Sequence, residues 1–213
     1  MRTKLHLTIG LLIAVLLVVG QLAIGGEAGN KPPLELKDGD ILFQVIAGGQ
    51  SDAIAAATNC KWTHVGMALK DEDGWMVYEA VGPVKRTPLN EWLDQGGGRY
   101  VVKRWKDSEA RLDPDAVRKL RAAAQPHMGR AYDLQFRWSD DKIYCSELVW
   151  KIYEEALGVR LCEPKALEAW HLDSELVQST MAERYGSSPP LDEPMVAPAT
   201  LFECGLLVTV AER

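Results

Sequence analysis

Cys145 stands second in the stretch YCSELVWKIYEEALG, residues 144–158, in which Leu148, Val149, Ile152, Tyr153, Ala156 and Leu157 recur at the spacing of one helical face. Gly158 is suited to end that helix, and Glu147, Lys151, Glu154 and Glu155 fall on its polar side. A thiol in the first turn of a helix meets unpaired N–H groups and the positive end of the helix dipole, which both favour the thiolate. The same placement on an apolar stripe is what a packed core cysteine shows, so the helix alone leaves both readings open. A nucleophile also needs a base within reach and a group to orient the base.

A hairpin supplies candidates for both. In THVGMALK, residues 63–70, His64, Gly66 and Ala68 share one face while Val65, Met67 and Leu69 share the other, the core side. In WMVYEAV, residues 75–81, Glu79 lies on a face with Trp75, Val77 and Val81, and DEDG between the two runs forms a turn. With Lys70 opposite Trp75, Val81 falls opposite His64 and Glu79 opposite Gly66. His64 and Glu79 then become diagonal neighbours across the space that Gly66 leaves, whereas an odd loop would send them to opposite faces. Small neighbours place His64 on the more open face of its strand. A glutamate accepting from one imidazole nitrogen would set the tautomer and turn the other nitrogen toward a thiol. Of the remaining histidines, His127 follows a helix, His171 adjoins Trp170 and His6 belongs to the N-terminal apolar run; no pair has zinc-site spacing, so no metal and no cofactor are expected.

The elements that must hold these residues follow in order along the chain. DILFQVI, residues 40–46, reads as a strand, the small-residue stretch after it as a short helix or loop, and RYVVKRW, residues 99–105, as a further strand. LDPDAVRKLRAAAQ is a helix with Asp113 as its N-cap, Pro114 at the first helical position, and Val117, Leu120 and Ala124 on one face. After the Cys145 helix, PKALEAWHLDSELVQSTMAERYG reads as one more helix and GLLVTV as a terminal strand. Strands first, helices after and one closing strand make an α+β domain.

At 213 residues, 47% hydrophobic and 25% charged, the chain is long enough for a real core and short for two domains. Its net charge of -6 and lack of a basic cluster argue against a nucleic-acid partner. Residues 1–28 open with Arg2 and Lys4, continue through a nearly charge-free apolar run and end on small residues, the pattern of a signal peptide. Extended to Gly26, the apolar run reaches the length of an N-terminal membrane anchor, the alternative reading. Either way residues 29–213 form the working domain and act outside the cytoplasm, periplasmic or secreted. There the four cysteines, Cys60, Cys145, Cys162 and Cys204, are free to form disulfides, and their spacing does not choose a pairing.

GDILFQ, THVGMAL, VYEAVG, GRAYD and YCSELVWKIYEEALG, in that order, resemble the permuted papain-fold NlpC-type cysteine hydrolases, the YiiX/YebB-like group. The likeness runs from about Leu36 to Val210, its most specific parts being the H-x-G strand and the YCSELV helix start. The resemblance implies a circularly permuted papain-like fold, an antiparallel sheet packed on helices that include the nucleophile helix. It implies Cys145 as nucleophile, His64 as base and Glu79 as the residue orienting it, in an amidase acting on a peptide or other amide, with cell-wall (peptidoglycan) fragments as the leading substrate. The lecithin:retinol acyltransferase-like branch shares the His-before-Cys order and offers lipid acyl transfer or thioester cleavage as the second reading; it would call for an apolar groove. A binding module without turnover is the third. For the leader, mass spectrometry of the mature protein is expected to find an N-terminus near Gly29. Intact Met1 in a membrane fraction would establish the anchor instead.

Overall fold

The computed structural model describes residues 34–213, and the leader or anchor expected over residues 1–28 lies outside them. In chain order the elements are β1 (Ile41–Gln44), α1 (Gly49–Thr58), β2 (His64–Asp71), β3 (Gly74–Ala80), β4 (Val84–Pro88), α2 (Leu89–Gln95) and β5 (Val101–Trp105). There follow α3 (Ser108–Arg111), α4 (Pro114–Ala124), α5 (Cys145–Leu157), β6 (Lys165–Ala166), α6 (Glu175–Tyr185), β7 (Pro194–Met195), α7 (Pro198–Phe202) and β8 (Leu207–Glu212). Six strands form one sheet in the order β4-β3-β2-β1-β5-β8. Every pairing in it is antiparallel, which makes the domain α+β as the sequence pattern requires.

Alternation along the strands divides the core. Ile41, Phe43, Val65, Met67 and Leu69 face α5 and α4 and pack on Leu148, Val149, Ile152 and Leu120. Leu42, Ala68, Val77 and Val102 face the other way and are covered by Trp92 of α2. Each fully buried aliphatic side chain of the α5 stripe contributes about 1.5–3 kcal/mol, so burial rather than intrinsic helix propensity sets where α5 lies. The caps agree with the sequence: Asp113 accepts the Ala116 N–H at 2.8 Å, and Gly158 ends α5 at φ 66.

Three expectations differ. Residues 164–186 do not form one helix: Lys165–Ala166 pair with β7, Leu167–Ala169 make a single 3-10 turn, and α6 begins only after Ser174, whose side chain caps it. The polar side of α5 is not all solvated, since Glu147 is 0% and Lys151 8% exposed; their charges meet at 2.9 Å and Asp140 lies 2.9 Å from the same ammonium. Burial pushes the Glu147 carboxyl up to about 7 despite that lysine. The third difference is β4 with α2, an edge strand bounded by prolines and carrying exposed Lys85 and Arg86, so that no run of alternating apolar residues announces it.

β2 and β3 pair with Lys70 opposite Trp75 and Met67 opposite Tyr78, so Gly66 lies opposite Glu79. A Cβ on Gly66 would come within 2.5 Å of Val77 Cγ1 and 3.1 Å of the Tyr78 carbonyl oxygen. Gly66→Ala is therefore expected to destabilise the domain by about 1–3 kcal/mol, read as a lower urea midpoint; an unchanged midpoint would show that the strands have room to spare.

Candidate active site

His64 is the first residue of β2 and Glu79 the next-to-last of β3, which brings the two side chains together at one end of the sheet. His64 Nε2 and Glu79 Oε2 are 2.6 Å apart, with side chains 5% and 0% exposed. The Thr87 hydroxyl donates to the other carboxylate oxygen, Oε1, at 2.5 Å, and Lys85 Nζ lies 3.8 Å from that oxygen. Cys145 is the first residue of α5, and its thiol lies close enough to His64 for each side chain to shift the other's protonation. Because Nε2 belongs to Glu79, Nδ1 is the nitrogen left for the thiol. The structure thus brings together all three residues singled out from the sequence. It does not leave His64 on an open face: the ring lies beside Trp92 of α2, centroids 6.2 Å apart, and the residue is 4% exposed. The small residues along that face of β2 make room for α2, an element the sequence pattern did not reveal.

The electrostatics follow from that packing. Burial by itself would lower the imidazole, but the Cys145 and Glu79 side chains outweigh it and raise His64 to about 9. Burial would raise Cys145; hydrogen bonding and charge from His64 outweigh it, so its thiol is held below the ordinary range. Glu79 is likewise lowered, burial being opposed by His64, Thr87 and Lys85. Each neighbour thus favours the charged form of the next, thiol, imidazole and carboxylate in a row with Lys85 at the far end.

Tyr132 and Gln50 complete the surroundings. The Tyr132 hydroxyl shares a cavity lining with Cys145 and feels its charge, and Gln50 Nε2 donates to that hydroxyl at 3.1 Å. Burial, then the Cys145 charge, hold the Tyr132 hydroxyl well above the usual tyrosine range, so it stays a neutral donor. The Ser146 hydroxyl donates to the Val196 carbonyl at 2.7 Å and is among the neighbours that lower the Cys145 thiol. The sequence signal for Tyr132 was GRAYD, which had no assigned role; Thr87, Lys85, Gln50 and Trp92 gave none, because each reaches the site only through tertiary packing.

Tyr132 lines three cavities, two of which also hold Cys145 or His64. One, of about 90 Å³, is lined by Cys145 and by apolar side chains including Ala53, Phe136, Leu167, Met181 and Met195. The other, of about 400 Å³, is lined by His64 together with Ile46, Ala47, Ser51, Ala80 and Val81. Cys145 and His64 thus open onto different cavities. His127 and His171 lie elsewhere; His127 is buried with Nε2 3.3 Å from Glu155.

A family model described as permuted papain-like amidase enzyme, YaeF/YiiX, C92 family, matches residues 35–211. The uncharacterized protein YiiX of Escherichia coli strain K12 is 44% identical over 176 residues, 82% of this chain and 86% of that protein. The crystal structure of the metalloprotein YiiX from Escherichia coli O157:H7 superposes with a TM-score of 0.79 at 43% identity, covering 83% of this chain and 97% of that one. Among the described residues of this chain no group of three or more His, Cys, Asp or Glu side chains is placed to hold a metal ion. Cys145, His64 and Glu79 offer the chemistry of thiol, imidazole and carboxylate.

The charged pair has a signature in solution. A lowered thiol keeps a larger thiolate fraction than ordinary thiols as pH falls, so iodoacetamide at pH 6 is expected to modify Cys145 before Cys60, Cys162 and Cys204, the Cys162 thiol being pushed up to about 12 by burial. His64→Ala removes the paired cation and most of that preference. As pH rises through about 9, His64 loses its proton and the ion pair gives way to a thiolate beside neutral imidazole. A Cys145 that resists alkylation until the protein unfolds would end the ion-pair assignment.

Proposed function

The chain belongs to the permuted papain-like amidase family, YaeF/YiiX, C92, and we propose that it is a cysteine amidase forming an acyl-enzyme on Cys145. The observation that carries the reading is the buried His64 Nε2–Glu79 Oε2 contact of 2.6 Å, with the Cys145 thiol near enough to the same imidazole to be lowered by it.

In this mechanism the Cys145 thiolate attacks the substrate carbonyl carbon, a C–S bond forms, and the carbonyl oxygen takes the negative charge. The Cys145 backbone N–H at the start of α5 and the neutral Tyr132 hydroxyl are the donors for that oxygen. His64 gives a proton to the leaving amine as the C–N bond breaks, and Glu79 keeps the imidazole oriented and the imidazolium stabilised. A water deprotonated by His64 then attacks the thioester, releasing the acid and regenerating the thiol. No step needs a redox partner.

The address is extracytoplasmic, on the strength of the leader-like residues 1–28, and an amide of cell-wall peptide type is the first substrate reading. The second reading, a lipid acyl group, draws support from one specific observation: the cavity beside Cys145 is narrow, about 90 Å³, and lined almost wholly by apolar side chains. Retention of residues 1–28 as a membrane anchor would serve that reading.

Incubation with cell-wall fragments, N-acyl amides and phospholipid, with products identified by mass spectrometry, separates the two by the bond broken. A positioned base contributes roughly 10²–10⁴-fold, so His64→Ala is expected to lower kcat by about that factor and Cys145→Ala to abolish turnover. Glu79→Gln should keep the fold and part of the activity, because it orients the base and does not itself take the proton. Wild-type turnover in His64→Ala would remove the assignment.

A further inference from the structure

Arg184, in the last turn of α6, is the one charged side chain other than the Cys145 thiolate among the residues lining the apolar cavity. It also lines the polar cavity alongside, where the other charged groups are Asp133, Lys142 and Glu183. Asp133 is already engaged, accepting the Gln135 and Arg137 N–H groups at 2.9 and 2.7 Å. Among the described residues Arg184 has no carboxylate within ion-pair distance and makes no hydrogen bond, although it is half-buried. What holds it in place is stacking: its guanidinium lies 5.0 Å from the centroid of Phe136, another lining residue. Its charge is felt at the Tyr132 hydroxyl, which lines the same cavity as Cys145.

A second group in the same cavity lacks a partner. Trp170 Nε1 is buried and makes no hydrogen bond, and Trp170 lines the cavity. Guanidinium and indole N–H are donors only, so what both call for is an acceptor. A half-buried cation without a counter-charge is costly in an apolar lining, and a planar guanidinium suits a carboxylate or phosphate through paired N–H···O bonds.

We propose that Arg184 and Trp170 form a subsite for an oxyanion, a carboxylate or phosphate carried by the acyl part of the substrate that Cys145 receives. The inference rests on the amidase reading and deepens it. An acyl group of this class has an apolar stem to fill the cavity and one anionic group to meet Arg184. The leaving-group cavity beside His64 has no lysine, arginine or carboxylate in its lining, so charge selection falls on the acyl side. Arg184 is then a specificity-determining residue, distinct from the groups that move protons.

The test uses irreversible alkylation of Cys145, which needs no turnover. Iodoacetamides carrying N-alkyl chains of graded length, ending in a carboxylate or in the matched primary amide, are compared. In each reaction the thiolate sulfur bonds to the methylene carbon and iodide leaves. The expected result for the wild type is a chain length at which the acid outpaces the amide by about tenfold or more, the gain of one charge-assisted hydrogen-bonded pair. The acid-to-amide ratio should fall toward that of the shortest reagents in Arg184→Gln, recover in part in Arg184→Lys, and decline in Trp170→Phe, which lacks the indole N–H. Phosphate-terminated reagents tell which oxyanion is preferred; a length-dependent, Arg184-dependent preference for either supports the subsite. An acid-to-amide ratio that is the same at all lengths, or unchanged in Arg184→Gln, overturns the subsite while Cys145 reactivity leaves the amidase reading standing. Failure of Cys145 to react ahead of the other thiols overturns both.

Discussion

The pairing register of β2 and β3 is the constraint on which the rest of the site depends. Side chains alternate across a strand, so a slip of one residue would move Glu79 from the face of His64 to the opposite one. Lys70 opposite Trp75 and Asp71 opposite Gly74 leave a two-residue loop and hold the register. Gly66 tightens it further: any side chain there would strike Val77, and its absence lets the Glu79 carboxylate reach diagonally to His64. The same alternation sends Val65 and Met67 into the core beneath α5, so one strand both seats the nucleophile helix and presents the imidazole. A substitution that disturbed this hairpin would reach the site through geometry before it reached it through chemistry.

Burial then converts the geometry into reactivity. An isolated carboxylate with no exposed surface would tend to neutralise, but Glu79 is ringed by His64, Thr87 and Lys85 and remains ionised. The imidazole gains from both flanking anions more than it loses by desolvation, and the thiol gains from the imidazole in turn. Each member of the row therefore depends on the next. β4 contributes to this from the sheet edge, since two of its residues, Lys85 and Thr87, meet the one carboxylate oxygen that His64 leaves free.

The cavities give the row a direction. Cys145 opens onto a narrow apolar space and His64 onto a wider one, with Tyr132 and its Gln50 partner at their junction. For the proposed amidase, such an arrangement would separate the part of a substrate that stays on sulfur from the part that leaves with a proton, with Arg184 lining the cavity on the sulfur side.

Local patterns carried much of this from the amino-acid order alone. The six-residue apolar stripe of α5 with Gly158 behind it, the Asp113–Pro114 start of α4, and the even loop between β2 and β3 are short-range consequences of residue type, and each is present as expected. Helix position, strand alternation and loop length bring Cys145, His64 and Glu79 forward as candidates, and the family resemblance is what singled out their roles. Tertiary structure decided what those patterns could not carry. The burial of His64 depends on Trp92 arriving from α2, and the burial of Glu147 and Lys151 depends on segments packed over the side of α5 that its own periodicity marks as solvated. Residues 164–186, helical by local preference, are divided because Lys165 and Ala166 pair with a strand nearly thirty positions away. Thr87, Tyr132, Gln50 and Arg184 converge on the site from four separate stretches. Their roles arise from distances across the fold, and periodicity along a chain reports only on neighbours a few residues apart.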